Sequence, residues 1–165
     1  MSNSITARQG DVLVIPTPWP NGLKPAASTT GERIVLAYGE ATGHHHSFPS
    51  RLAVLGELNG RRFVAVTPSG GEADGERMRA LNFNAAIADL WTPETVAARD
   101  VGEIKADTAE IVAHAEACGF AALQHLGSDG VQADHLPIVF PPGFTGEVKV
   151  PREYVRGELP RGVED

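Results

Sequence analysis

The sequence predicts a mainly β fold, a small barrel or sandwich, carrying a helical insertion; an α+β fold with helices on one sheet face is the alternative. Three observations lead there. Short apolar runs at both ends of the chain are broken by turn residues, Asn59-Gly60 joins two of them, and the middle of the chain changes to a helical period with recognisable caps. With 18 glycines and 12 prolines in 165 residues, many turns and short elements are favoured over a bundle of long helices. The 42% of hydrophobic residues supplies a core for a single domain over residues 1–165, with β elements about 8–68 and 121–156 around a helical insertion about 72–120.

The first β region begins with DVLVIP, residues 11–16, an apolar run ended by proline. Residues 16–31 are too rich in Pro, Gly, Ser and Thr for a regular element, and ERIVLAYGE (32–40) is rich in β-branched and aromatic residues. RLAVLGEL and RRFVAVTP flank Asn59-Gly60, and a type I′ turn needs positive φ at both central residues, which Asn and Gly tolerate best. In the helical insertion, GERMRALNFNAAIADLW sets Met78, Leu81, Ala85, Ala88 and Trp91 at three- and four-residue steps. Thr92 with Pro93 reads as an N-cap and first helical position. Asp107 with Glu110 has capping-box spacing, Ile111, Val112, Ala115 and Cys118 form a stripe, and Gly119 suits a left-handed C-terminal cap. The chain then returns to β: Asp129-Gly130 marks a second hairpin, LPIVFPPG is a run closed by a turn, and GEVKVPREYV alternates as a last strand before a surface tail.

Charge and cysteine usage exclude several classes. The net charge of −7 comes with no Lys/Arg run beyond Arg61-Arg62, so nucleic acid is not an expected partner. Cys118 is the sole cysteine, which excludes an internal disulfide and a cysteine zinc cluster and points to a cytoplasmic location. No membrane partner is expected, because the start of the chain lacks a secretory pattern and no window has transmembrane length.

Reactive side chains concentrate in YGEATGHHHSFPS, residues 38–50, which holds three of six histidines. In an extended segment His44 and His46 project to one side and His45 to the other, so two imidazoles can meet one divalent transition metal such as Zn, Ni or Fe. A third ligand must come from elsewhere. His135, at the start of a predicted strand, is the first candidate; Asp134 beside it is an orienting group or a fourth ligand, and Glu40 is a further oxygen donor. If Asp129-Gly130 closes a hairpin, His125 approaches His135 across it. His114 sits among alanines in a helix, where packing or exposure is the ordinary reading. Histidine beside a carboxylate also suits metal-free acid–base catalysis. Cys118 lies on an apolar stripe and reads as an inert thiol, and neither a nucleophile elbow nor a phosphate-binding glycine loop is present.

RQGDVLVIP, GEATGHHHSF, DHLPIVFPPG and REYVRGELPRGVED together resemble an uncharacterised group of small bacterial and phage proteins, whose pattern runs QGDVLL, GEVTGHAH, HEEHAPIxLPPGxY, QREY and a final Asp. The matching positions are Gln9 to Leu13, Gly39 to His46, Asp134 to Gly143, Arg152 to Tyr154, and Asp165. Residues 70–125 fall outside the likeness and read as an insertion. The first histidine of the group's H-x-x-E-H stands here as a non-histidine near Val131, its Glu as Asp134, and its Gln before Arg-Glu-Tyr as Pro151. A metal held by an H-x-H pair and two later histidines would lack one ligand here, with His45 or His125 as substitutes. A looser likeness to cupins rests on Gly39 ahead of His44 and His46, but Ser47-Phe48-Pro49 follow where that family places a glutamate. The likeness therefore implies cupin-like site chemistry rather than membership. It carries no established activity.

The expected function is a metal-binding β-rich protein, enzymatic or not, with His44, His46 and His135 as the site and an unidentified substrate. Two alternatives stand beside it. One is a non-catalytic binding or assembly module for a small molecule or protein, suggested by the proline-rich loop with an exposed Trp19. The other is a metal-free His/acid enzyme. A homo-oligomer is compatible with a small β domain of this kind.

Overall fold

The computed structural model describes residues 6–26, 32–39 and 43–150. Strands β1 (Ala7–Gln9), β2 (Val12–Pro16), β9 (Thr145–Lys149), β6 (Arg61–Val66) and β5 (Ala53–Leu58) lie in that order in one antiparallel sheet. Strands β3 (Arg33–Tyr38), β4 (His45–Pro49), β7 (Ala121–Leu126) and β8 (Ile138–Phe140) form the second. Helices α1 (Ala73–Leu90), α2 (Pro93–Ala98) and α3 (Val101–Ala117) intervene between β6 and β7. The mainly β fold with a helical insertion is thus present. Of the two expected forms it is the sandwich and not the barrel, because among the described residues neither sheet closes on itself, β1 and β5 ending one and β3 and β8 the other.

Strand alternation explains the layers. Val12 and Val14, Ile34 and Leu36, Phe48, Val64 and Val66, Ala121 and Leu123, Phe140 and Val148 form one buried cluster between the two sheets. The opposite face of the second sheet is covered by the insertion, where Ala122 and Val139 pack against Ala80, Ile87, Val112, Ala115 and Phe120. The Asn59-Gly60 turn has φ of 53° and 76° and joins β5 to β6 in register, Leu58 opposite Arg61, as its residue types require.

The insertion corrects two expectations. On α1, Met78 and Leu81 are 57% and 45% exposed, and the inward stripe is Ala80, Phe83, Asn84, Ile87 and Trp91. Alanines on both faces left the register open in the sequence, and Asn84 hid the true stripe with a polar residue. That residue is inward for a reason. Its amide nitrogen donates to the Val139 carbonyl at 3.0 Å and its oxygen accepts from the Val139 N–H at 2.7 Å. It occupies both backbone groups of a residue in edge strand β8 and keeps that edge from pairing elsewhere. On α3, Asp100 and not Asp107 is the N-cap, accepting from the Glu103 N–H at 3.2 Å. Asp107 lies inside the helix, paired with Arg99 at 2.7 Å. Asp100 and Glu103 repeat the same three-residue spacing upstream, and Ile104 and Thr108 extend the buried stripe to meet them.

Other local expectations hold. Thr92 caps α2 with Pro93 at its first position, and Gly119 has φ of 89° after α3. Trp91 donates from its indole nitrogen to Thr108 Oγ1 at 2.9 Å, tying the end of α1 to α3. Trp19 is half-buried rather than exposed: its indole donates to the Leu23 carbonyl at 3.0 Å and its ring lies over Gly56. The tail from residue 151 on, with the expected Arg152–Tyr154 and Asp165 positions, lies outside the described residues. Among those described, no helix is long and apolar enough to cross a membrane.

Replacing Asn84 by Leu leaves the N–H and carbonyl of Val139 without their partners at similar volume. The cost is about 1–3 kcal/mol. It should read as a lower urea midpoint with an unchanged denaturant slope.

Candidate functional site

The site lies at one end of the sandwich, where β1 of the first sheet faces β4 and β7 of the second. Antiparallel pairing sets His46 opposite His125, so both side chains leave their strands on the same face. That face is the inner one, shared with Phe48 and Leu123. His44, two residues before His46, reaches the same side: its ring centroid is 5.5 Å from that of His125. His45 alternates to the helix-covered face, as the strand period demands. His135 comes from the loop before β8, with its centroid 5.0 Å from His125 and 5.8 Å from His46. The His46 and His125 rings stack at 4.3 Å with 12° between their planes.

Four expected site residues, His44, His46, His125 and His135, are therefore neighbours, and His125 stands at the centre. Asp129-Gly130 makes the turn that returns the chain to it, with Gly130 at φ 77° and a single bridge from Leu126 to Gln132 in place of a full hairpin. Asp134 is exposed and acts through its backbone, donating its N–H to His125 Nδ1 at 3.1 Å. Glu40 lies outside the described residues. His114 is remote on α3, edge-on to Phe83. Among the described residues, no group of three or more His, Cys, Asp or Glu is arranged to hold a metal ion.

The residue that orders this cluster is Gln9, 2% exposed at the end of β1. Its amide nitrogen donates to two carbonyls, Leu123 at 3.0 Å and Leu136 at 2.8 Å. Both amide protons are thereby used and the oxygen is turned toward His46 Nδ1, 2.8 Å away. An amide oxygen only accepts, so His46 carries its proton on Nδ1 and leaves Nε2 with a free lone pair. For His125 the logic inverts. Its Nδ1 accepts from Asp134, so its neutral ring holds the proton on Nε2 and offers a donor there. Two stacked imidazoles are thus held as opposite tautomers by one amide and one peptide group.

Burial and the neighbouring His125 and His135 push His46 down to about 4. Burial likewise lowers His125, reinforced by His135 and opposed by the Asp134 charge. On the other face, burial and Arg33 lower His45. His46 and His125, with His45 on the other face, are therefore neutral imidazoles near neutral pH. Gly10 closes its wall: it has φ of 57°, and a Cβ there would lie 2.7 Å from His135 Nε2 and 3.3 Å from His46 Cε1.

Sequence reasoning found the histidines and missed Gln9. Its one sequence signal is the place it holds in the QGDVL stretch, where nothing marks a role. Residues 8–73 match a domain of unknown function (DUF8820), a stretch that contains Gln9, His44 and His46 but neither His125 nor His135. No curated protein and no solved structure matches the chain.

Two outcomes test this geometry. Gly10→Ala puts a methyl group against His135 in a backbone conformation unfavourable to alanine. It should cost upwards of about 1 kcal/mol and shift the His135 ring resonances. The second concerns pH. His46 has an ordinary value of 6.5 and a folded value of about 4, so between them the unfolded chain binds the extra proton. Stability of the metal-free protein is then fully present above the ordinary value and lost as pH falls toward the folded one, by on the order of 2–3 kcal/mol. Urea midpoints measured across that range should slope less in a His46→Phe variant.

Proposed function

We propose that this chain binds a divalent transition metal, Zn, Ni or Fe, through His46, His44 and His135, with Gln9 as the group that orients His46. The observation that carries the reading is the Gln9–His46 hydrogen bond inside a cluster of four imidazoles. A metal-ligating histidine characteristically gives its other ring N–H to a fixed acceptor, which sets the tautomer and steers the free nitrogen. His46 has that arrangement, and its low pKa keeps it in the neutral form a metal requires. The likeness of these segments to the H-x-H and later-histidine pattern of small bacterial and phage proteins points the same way. Coordination requires His44 and His135 to turn their free nitrogens toward His46 Nε2, until each lies about 2.0–2.1 Å from a shared ion. His125, with its proton on Nε2, then stands beside the ion as a hydrogen-bond donor to a bound water or substrate.

The metal-free His/acid reading has less support. Among the described residues no carboxylate hydrogen-bonds a histidine ring, and Asp134 meets His125 through its peptide N–H.

Protein purified without a histidine tag should contain stoichiometric Zn, Ni or Fe, or take it up on titration. A His44→Ala/His46→Ala variant should lose it, and Gln9→Leu should bind about 10–100-fold more weakly. Failure of the native protein to take up any of these metals, or full retention in the double variant, overturns the reading.

A further inference from the structure

On the far side of β7 from His46 and His125, a cleft of about 320 Å³ lies between α3 and the loop that follows β7. The alternation that sends His125 inward sends Gln124 and Leu126 into this cleft. Its walls are mostly apolar: Ala106, Ala109 and Val112 of α3, with Leu126, Val131 and Pro137 opposite. Four polar side chains interrupt them, Lys105, Thr108, Gln124 and Gln132. A volume at the lower end of the range for small-molecule sites, an apolar lining and a few convergent polar groups are the features of a binding pocket.

Two of those polar groups lack partners among the described residues. Gln132 Oε1 is buried and accepts no hydrogen bond from any described residue. A buried acceptor left so costs about 1–3 kcal/mol, and a turn of the carboxamide about its last torsion toward the cleft would let a ligand donor relieve it. Lys105 is half-buried and makes no ion pair with a described residue. Gln124 adds an amide that both donates and accepts.

We propose that this cleft is a second site, separate from the histidine cluster, for a small carboxylate that has a hydroxyl or amino donor next to the carboxyl group and a branched apolar body: a 2-hydroxy or 2-amino acid of leucine size. Lys105 takes the carboxylate, Gln132 Oε1 accepts from the neighbouring donor, and the side chain lies among Ala106, Ala109, Val112 and Leu126. The indole of Trp91 is hydrogen-bonded to Thr108, which also lines the cleft, so its fluorescence reports occupancy.

The probes are 2-hydroxy-4-methylpentanoate, L-leucine, and 4-methylpentanoate, which lacks the donor. Titration of the full chain should show saturable binding of at least one of the first two, with amide shifts at Lys105, Ala109, Gln124 and Gln132. The third should bind about tenfold more weakly. Lys105→Met should weaken all binding, and Gln132→Leu should remove the preference for the donor-bearing probe. Ala109→Phe should abolish binding while leaving metal uptake unchanged; if that variant does not fold, Ala106→Phe replaces it. No saturable binding of any probe at millimolar concentration overturns the proposal. So does binding that survives the filled cleft, or shifts confined to the histidines. Metal uptake is measured on the same samples, so failure here and failure of the metal reading are told apart.

Discussion

The site depends on a single buried carboxamide. Gln9 belongs to the first sheet, yet all three of its side-chain hydrogen bonds go to groups outside it: the Leu123 carbonyl in β7, the Leu136 carbonyl before β8, and the His46 ring in β4. It joins the two sheets at the end where apolar packing gives way to imidazoles. Because its nitrogen is saturated by two peptide oxygens, the orientation of its oxygen is not free, and the protonation of His46 follows from it. Removing that amide would leave two buried carbonyls and a ring N–H without partners, a larger loss than any one of its bonds suggests.

The rest of the cluster is arranged around that fixed point. His125 is stacked on His46 by the register of β4 and β7, and the peptide N–H of Asp134 assigns its tautomer. His135 is admitted by Gly10, whose missing side chain and positive φ leave room for the ring. His46 and His125 both lose affinity for protons, and the burial that lowers His46 most is the same burial that gives the sheets their core. At this end of the core, burial disfavours protons on His46 and His125, and hydrogen bonds to Gln9 and to the Asp134 peptide fix which nitrogen of each ring stays open.

The helical insertion serves the second sheet from behind. It covers the face that would otherwise expose Ala122 and Val139, occupies edge strand β8 through Asn84, and leaves a mostly apolar cleft along α3. One loop, from Gly127 to Pro137, borders both regions: Val131 and Gln132 line the cleft, and Asp134 and His135 belong to the imidazoles. Opposite faces of β7 thus carry an imidazole cluster hydrogen-bonded into order and a mostly apolar cleft in which Gln132 Oε1 has no partner among the described residues.

Local rules in the sequence determined the β–α–β order, the Asn59-Gly60 hairpin, the Thr92 and Gly119 caps, and the opposite facing of His45 relative to His44 and His46. Each rests on neighbours in the chain: a residue's φ preference, a side chain reaching its own helix end, or the two-residue period of a strand. Tertiary structure decided what those rules leave open. The inward stripe of α1 was ambiguous because alanine fits either face, and contact with β8 selected Asn84. Asp100 prevailed over Asp107 as a cap because Ile104 and Thr108 had a surface to cover. His125 moved to the centre of the site because cross-strand register, which no local signal encodes, set it opposite His46. Gln9 acquired its role because the two carbonyls it binds lie more than a hundred residues away in sequence, brought to it only by the meeting of the two sheets.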